Sequence, residues 1–292
     1  MGDSNVRTGI CQYITYSTGS DAAFGIVTGG SVRDADNVQH RRGQGGVDRI
    51  VGGLVTPTVS VTFLPVDVSI IGTAGPGLAW RAASGFPCSD LATSTVKYGS
   101  FTEEDFTGAK VNTMSLTCGM GDPLSCTVDF MALNKFETSL GSGVAVTDPH
   151  FEWYSAACTV NSTNVSVQSF TINLNNNLRA YQDIGSVTAS AGGMYYNRLP
   201  LRLLEGNESV RLDVRCANKI ACATRGNLVD NLPVTLTFAG QFTNSAGDVL
   251  SLSMSTLANA TASHPVVVDG EVVYDYSFEA EDNSQPLTIT LA

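Results

Sequence analysis

The chain has 292 residues, 43% of them hydrophobic, and a formal net charge of -11. That length and composition exclude a disordered chain and leave room for one large domain or two ordinary ones. No apolar run approaches the ~18 residues of a helical membrane span. Eight acids with no Lys or Arg after residue 225 exclude a phosphate-clasping surface there.

Taken in order, residues 1–45 are rich in Gly, Ser, Thr and Asp. They include the polar run 34–46, with His40, Arg41 and Arg42. No basic start followed by an apolar block opens them, so no secretory signal is expected and synthesis is in the cytoplasm. The stretch reads as an arm or long loop, and long ordered loops usually bind something. Val59, Val61 and Phe63 then alternate with Ser60 and Thr62, the period-two pattern of a half-buried strand. Short helices are expected at 77–83, 89–93 and 101–108. Alternation breaks between Asn134 and His150, at Gly141-Ser142-Gly143 and Asp148-Pro149. This divides the chain into a first half, 46–146, and a second, 147–292. Phe170, Ile172 and Leu174 alternate with polar residues, as do Tyr274, Tyr276 and Phe278, and Leu287, Ile289 and Leu291. Gly, Asn, Asp and Pro punctuate these runs. The expected fold is mainly β with one or two short helices. Residues 111–116 and 167–172 echo each other weakly, which hints at two related halves.

Signatures of chemistry are sparse. His40, His150 and His264 lie far apart beside turn residues and read as surface residues. No CxxC pair, HExxH, Walker A loop or GxSxG elbow is present. Glu103-Glu104-Asp105 reads as a solvated acidic face rather than a general acid/base pair. Among seven cysteines, Cys118/Cys126 and Cys216/Cys222 have the spacing of cross-strand neighbours. They are either disulfides or small buried residues of a reduced core. Four Asn-x-Ser/Thr sequons start at Asn161, Asn164, Asn207 and Asn259 and are read as chance occurrences. No cofactor or metal is expected.

Three segments in order carry a resemblance: Gly52 to Val61; Gly108 to Leu116, continued by Gly121 to Phe130; and Val167 to Leu178. The closing stretches 232–257 and 266–291 also fit. Together they resemble tail tube proteins of long, flexible-tailed viruses, over about residues 45–292. The resemblance implies a virion structural protein and not an enzyme. Subunit strands would join edge to edge into a continuous barrel, rings would stack into a hollow tail, and viral DNA would pass through the lumen. The partners are further copies of the chain and other tail proteins at the tube ends. Lys-poor, Asp-rich usage leaves a bacterial or a haloarchaeal host open.

Physical reasoning supports such a conduit. Open sheet edges are removed when strands close into a barrel across subunits. An acidic lumen would keep DNA moving by like-charge repulsion, and Asp129, Asp213, Asp275 and Glu279 are the candidate lumen-facing acids. Arg41, Arg42 and Arg49, in and beside the arm, are candidate inter-ring contacts through repeated ion pairs. If each half is a tube-type β-sandwich, three chains make a pseudo-sixfold ring; if the chain is one domain, six do. The trimer is favoured. Two rivals remain: a virion surface or adhesion β-sandwich using Trp80, Trp153 and Tyr154, and a jelly-roll carbohydrate-active enzyme with two converging carboxylates.

Overall fold

Residues 13–36, 39–42, 48–51, 55–72, 78–79, 91–160, 163–164, 166–181, 200, 202–206, 208–217, 236–262, 266–268, 271–280 and 287–292 are described by the structure, a computed structural model. Its first strands are β1 (Tyr13–Ser17), β2 (Asp21–Ala23), β3 (Ile26–Asp36), β4 (Gln39–Arg42), β5 (Asp48–Val51) and β6 (Val55–Leu64). Next come β7 (Ser94–Gly99), β8 (Glu103–Gly119), β9 (Ser125–Met131) and β10 (Asn134–Thr138). After an irregular stretch, a 3-10 turn at Trp153–Ser155 is the one helical element among the described residues. The chain continues through β11 (Ala157–Val160), β12 (Thr163–Asn164), β13 (Val167–Asn175), β14 (Arg179–Tyr181), β15 (Arg202–Leu204) and β16 (Ser209–Cys216). It ends with β17 (Leu236–Thr243), β18 (Val249–Ala262), β19 (Val266–Val268), β20 (Glu271–Ala280) and β21 (Leu287–Leu291).

Eight strands form one antiparallel run in the order β3, β6, β9, β8, β13, β16, β20, β18. Period-two alternation gives this sheet an apolar and a polar face. Val59, Val61 and Phe63, then Val128 and Phe130, then Phe170, Ile172 and Leu174 all point into one core. So do Leu212, Val214, Tyr276 and Phe278. A second layer covers this face. It contains β2, β1, β7, the start of β8 and β10, and also β12, β11, β17, the start of β18 and β21. Aromatic rings stitch the layers together. Phe24 sits 5.1 Å from Tyr16, 5.6 Å from Phe63 and 5.8 Å from Phe130, centroid to centroid, and Phe170 sits 5.9 Å from Phe242. Each such fully buried side chain contributes roughly 1.5–3 kcal/mol.

The pairing order of the first ten strands recurs in the rest. β8 and β18 each begin in the covering layer and end in the eight-strand sheet. At its start β8 lies between β7 and β10, and β18 lies between β17 and β21. Each then pairs along its second part with β9 or β20. β1 joins β7 and β2 as β11 joins β17 and β12. The irregularities recur as well. Thr28 is the extra residue between β3 and β6, and Gln168 that between β13 and β16. Val96 faces Phe106 and Ser94 faces Ala109 across one bulge; Phe238 faces Met254 and Leu236 faces Leu257 across its counterpart. Asn112 and Ala260 are extra at matching places on β8 and β18. A bulge is a specific two-against-one arrangement, so three recurrences equate the strands residue by residue.

Several expectations are corrected. Residues 101–108 are not a helix: β8 starts at Glu103. Its buried positions Glu103, Phe106 and Ala109 are three apart because a bulge and Gly108, at φ 63°, reset the alternation where the strand changes layer. Residues 91–93 are irregular, and of 77–83 only Leu78 and Ala79, in a turn, are described. The described parts of the expected arm, 13–36 and 39–42, form four strands, β1 to β4. Ile14, Tyr16 and Phe24 lie in the core, so residues 13–36 complete the first set of strands. Asn134 to Thr138 is strand β10, and residues 139–150 form the irregular connection between the two sets. Cys118, Cys126, Cys158 and Cys216 are free thiols: β8 places Leu116, not Cys118, opposite Cys126. Cys222, His264 and Trp80 lie outside the described residues, as do the sequon residues Asn161 and Asn207.

Candidate functional site

The outer face of the eight-strand sheet is polar from β3 across to β20. Ser31 and Arg33 of β3 stand opposite Ser60 and Thr58 of β6. Ser60 and Thr62 stand opposite Asp129 and Thr127 of β9. Thr113, Ser115 and Thr117 of β8 lead on to Asn175, Asn173 and Thr171 of β13. Thr171 then faces Asp213, which faces Ser277. Hydroxyl groups link neighbouring strands: the Thr62 and Thr127 oxygens are 3.0 Å apart, and Thr117 donates to Thr171 at 3.5 Å.

All four acids singled out in the sequence lie on this face. Thr113 Oγ1 donates to Asp129 Oδ2 at 2.5 Å. Asp213 accepts hydrogen bonds from Arg211 Nε at 2.9 Å and from Asn173 Nδ2 at 3.4 Å. Asp275 lies 3.6 Å from Arg215 Nε, and Glu279 stands opposite Arg211 in the register. The arginines were missed, although Arg211, Asp213 and Arg215 alternate in the sequence as same-face strand residues must. Arg33 is the third on this face. The face is therefore mixed in charge, with a shallow depression of ≈ 450 Å³ over Thr171, Arg211, Asp213, Arg215, Asp275 and Ser277. These carboxylates alternate with cations and hydroxyls.

The two ends of the sheet differ. At one end the chain leaves after Asp36 and returns at Val55, and leaves again after Asn175 to return at Ser209. The first excursion holds the β4–β5 hairpin, where Arg41 stands opposite Arg49 and Arg42 opposite Asp48. The second holds the β14–β15 hairpin, anchored by Lys110 Nζ on Glu205 at 2.5 Å and by Leu91, Leu178 and Leu203. At the other end Met120, Trp153 and Tyr154 are exposed, Tyr154 by 72%, around a cavity of ≈ 230 Å³ that Cys118 and Cys158 also line. Burial pushes the Cys118 thiol up to about 12 and the Cys158 thiol up to about 11.

On the covering layer, Glu103 is buried rather than solvated. Tyr13 Oη donates to Glu103 Oε2 and accepts the Gly141 N–H at 2.9 Å, so the connection lies over this group. Burial, with Glu103 beside it, pushes the Tyr13 phenol up to about 12. The Asp105 carboxyl is also raised, by burial first and by Glu103 second. Glu104 turns away to pair with Lys135 at 3.1 Å. The expected acidic face is instead a knot in the layer, with Glu103 buried beneath the connection and Glu104 and Asp105 half-buried.

No individual curated protein matches the chain. A family profile described as phage tail tube protein matches residues 78–280, a span that runs from β7 through β20 and takes in six of the eight strands of the polar sheet. Because that match covers well over half of the sequence, the chain belongs to the phage tail tube protein family.

Proposed function

We propose that three copies of this chain close into a ring whose inner wall is a barrel of three times eight strands, and that stacked rings conduct viral DNA. The observation that carries this reading is the eight-strand antiparallel sheet, with four strands from each recurring set. Strands roughly 4.8 Å apart and tilted by about 40° give a barrel roughly 48 Å across between backbones, wide enough for a duplex inside its side chains. Six copies would double that bore.

In this reading the polar face lines the lumen. It presents hydroxyls, amides and acids such as Asp129, Asp213, Asp275 and Glu279. Arg211 and Arg215 sit within the same columns. A wall of neighbouring opposite charges offers phosphates no net cationic site, so few counterions are released and DNA is not held. The lumen is thus non-adhesive through charge pairing more than through bulk acidity. The β4–β5 hairpin with Arg41, Arg42 and Arg49, and the β14–β15 hairpin, leave one end of the sheet. We assign them to contacts with the next ring, at the end that exposes Met120, Trp153 and Tyr154. Other tail proteins would cap the terminal rings.

Negative-stain microscopy and native mass measurement of the purified protein test this reading. Hollow rings of three 30.7 kDa chains, and tubes made of them, are expected. A monomer that stays dispersed at high concentration without hollow particles would overturn it.

A further inference from the structure

We infer that the joint between neighbouring copies in the ring repeats the joint inside the chain: β18 of one copy receives β3 of the next, antiparallel, with Thr261 opposite Ala35. The inference rests on the ring reading above and supplies its contact surface, with a second copy of this chain as the partner.

The internal joint is the pairing of β8 with β13. It runs from Gly119 opposite Ser169 to Thr113 opposite Asn175. It uses the flank of β8 that β7 occupies nearer the strand's start, since β9 and β10 hold the other flank. The recurrence identifies the counterparts of both strands. Val32 corresponds to Ile172, because each faces the strand residue, Val59 or Leu212, that in turn faces Phe130 or Phe278. Counting along, Ala35 corresponds to Asn175. Thr113 corresponds to Thr261, because each is the first paired residue after the matching bulge. Moving the internal joint onto these counterparts sets Ala35 opposite Thr261 and Asp34 opposite Ala262.

The edges fit. Among the described residues, β3 has one strand partner, β6, and residues 258–262 of β18 pair with β20 alone. The hydrogen-bonding phase is set as well. The Asn176 N–H donates to the Asn112 carbonyl at 2.8 Å, which turns alternate backbone groups of β13 toward β8. By the same phase the Asp36 N–H meets the Ala260 carbonyl, and Asp34 turns its N–H toward the neighbour. Ala35 and Thr261 then form the closely spaced kind of antiparallel pair, with Cα atoms about 4.5 Å apart. A contact that joins one edge to a different edge is heterologous and closes only by rotation into a ring. It leaves no edge of the eight-strand sheet exposed, which removes that template for uncontrolled aggregation.

Cysteine cross-linking in the full-length protein tests the register, because a disulfide tolerates only a narrow range of Cα separations. A35C/T261C, assembled and then oxidised, should give a covalent trimer on a non-reducing denaturing gel. The single variants A35C and T261C, which carry the same native thiols, should not. T117C/T171C, across the internal joint, should close within one chain. D34C/T261C, one residue out of register, should cross-link poorly. In D34P, proline removes an outward N–H from an edge strand, which such edges accommodate. The variant should keep the unfolding midpoint that the parent shows when diluted below assembly, but lose its rings. Rings without the A35C/T261C trimer, or rings formed by D34P, would overturn this joint and leave the ring reading intact. Absence of rings from the parent protein would remove both.

Discussion

Thr117 and Thr171 face each other across the joint between the two strand sets, their hydroxyl oxygens 3.5 Å apart. Thr171 faces Asp213 on its other side, so one residue of β13 ties the first set to the second. Backbone pairing therefore runs unbroken through a point where sequence alone suggests a boundary.

Asn176 locks that joint. Its buried side-chain amide donates to the Ala79 carbonyl at 3.1 Å and the Val111 carbonyl at 3.0 Å, while its backbone N–H reaches Asn112. Asn176→Ala would leave two acceptors without those donors. Each buried orphan costs about 1–3 kcal/mol. The variant should lose about 2 kcal/mol or more in urea unfolding. A loss within the usual noise of a surface change would show that water replaces the amide.

Gly108 marks the corner where β8 passes from one layer to the other. Its φ of 63° is the left-handed region, and a Cβ there would meet Leu133 Cδ1 at 2.9 Å. Gly108→Ala carries about 1–2 kcal/mol from the backbone alone, with Leu133 forced to shift as well. Denaturant unfolding should report a destabilisation of that size or larger. An unchanged midpoint would mean that the corner relaxes to an ordinary strand angle.

The strands were legible wherever one face is apolar, as at Val59 to Phe63, Phe170 to Leu174 and Tyr274 to Phe278, because alternation is the direct imprint of a two-faced sheet. The recurrence was nearly invisible. It preserves backbone register and the in-or-out pattern, and neither needs similar side chains. Gly30 corresponds to Phe170, Val111 to Asn259 and Asp129 to Ser277. The bulge residues, Thr28 with Gln168 and Asn112 with Ala260, share no chemistry either. Strands β1 to β3 read as an arm because they are short or glycine-bearing, with Gly29 and Gly30 in an edge strand whose burial comes from Ile14 of another strand. The acids could be picked from alternation, but Arg211 and Arg215 were passed over because net charge drew the eye to the excess instead of its pairing.

That pairing has a consequence for DNA. In the lumen reading, Asp213→Asn with Asp275→Asn would remove the carboxylates beside Arg211 Nε and Arg215 Nε and leave Glu279 opposite Arg211 as the remaining acid of these columns. Rings of the double variant should retain duplex DNA at low salt, with retention falling steeply as salt rises. Parent rings should retain little at any salt. Equal retention by both, measured by filter binding across a salt series, would place this face away from the DNA.

Asp105 supplies a pH test of the covering layer. Burial and the neighbouring Glu103 raise its carboxyl, while Lys97 acts in the opposite sense and Asp21 in the same one. The folded protein therefore holds this proton more tightly than the unfolded chain, whose aspartates titrate near 3.9. The proton's stabilising contribution is complete below about pH 3.9 and is lost as pH rises through the folded value. Asp105→Asn keeps a neutral side chain at every pH and escapes that loss. The difference in unfolding midpoint between variant and parent should favour the variant at neutral pH and shrink toward zero on acidification. A difference that stays constant between pH 3 and 7 would show that the carboxyl is no harder to ionise in the fold than outside it.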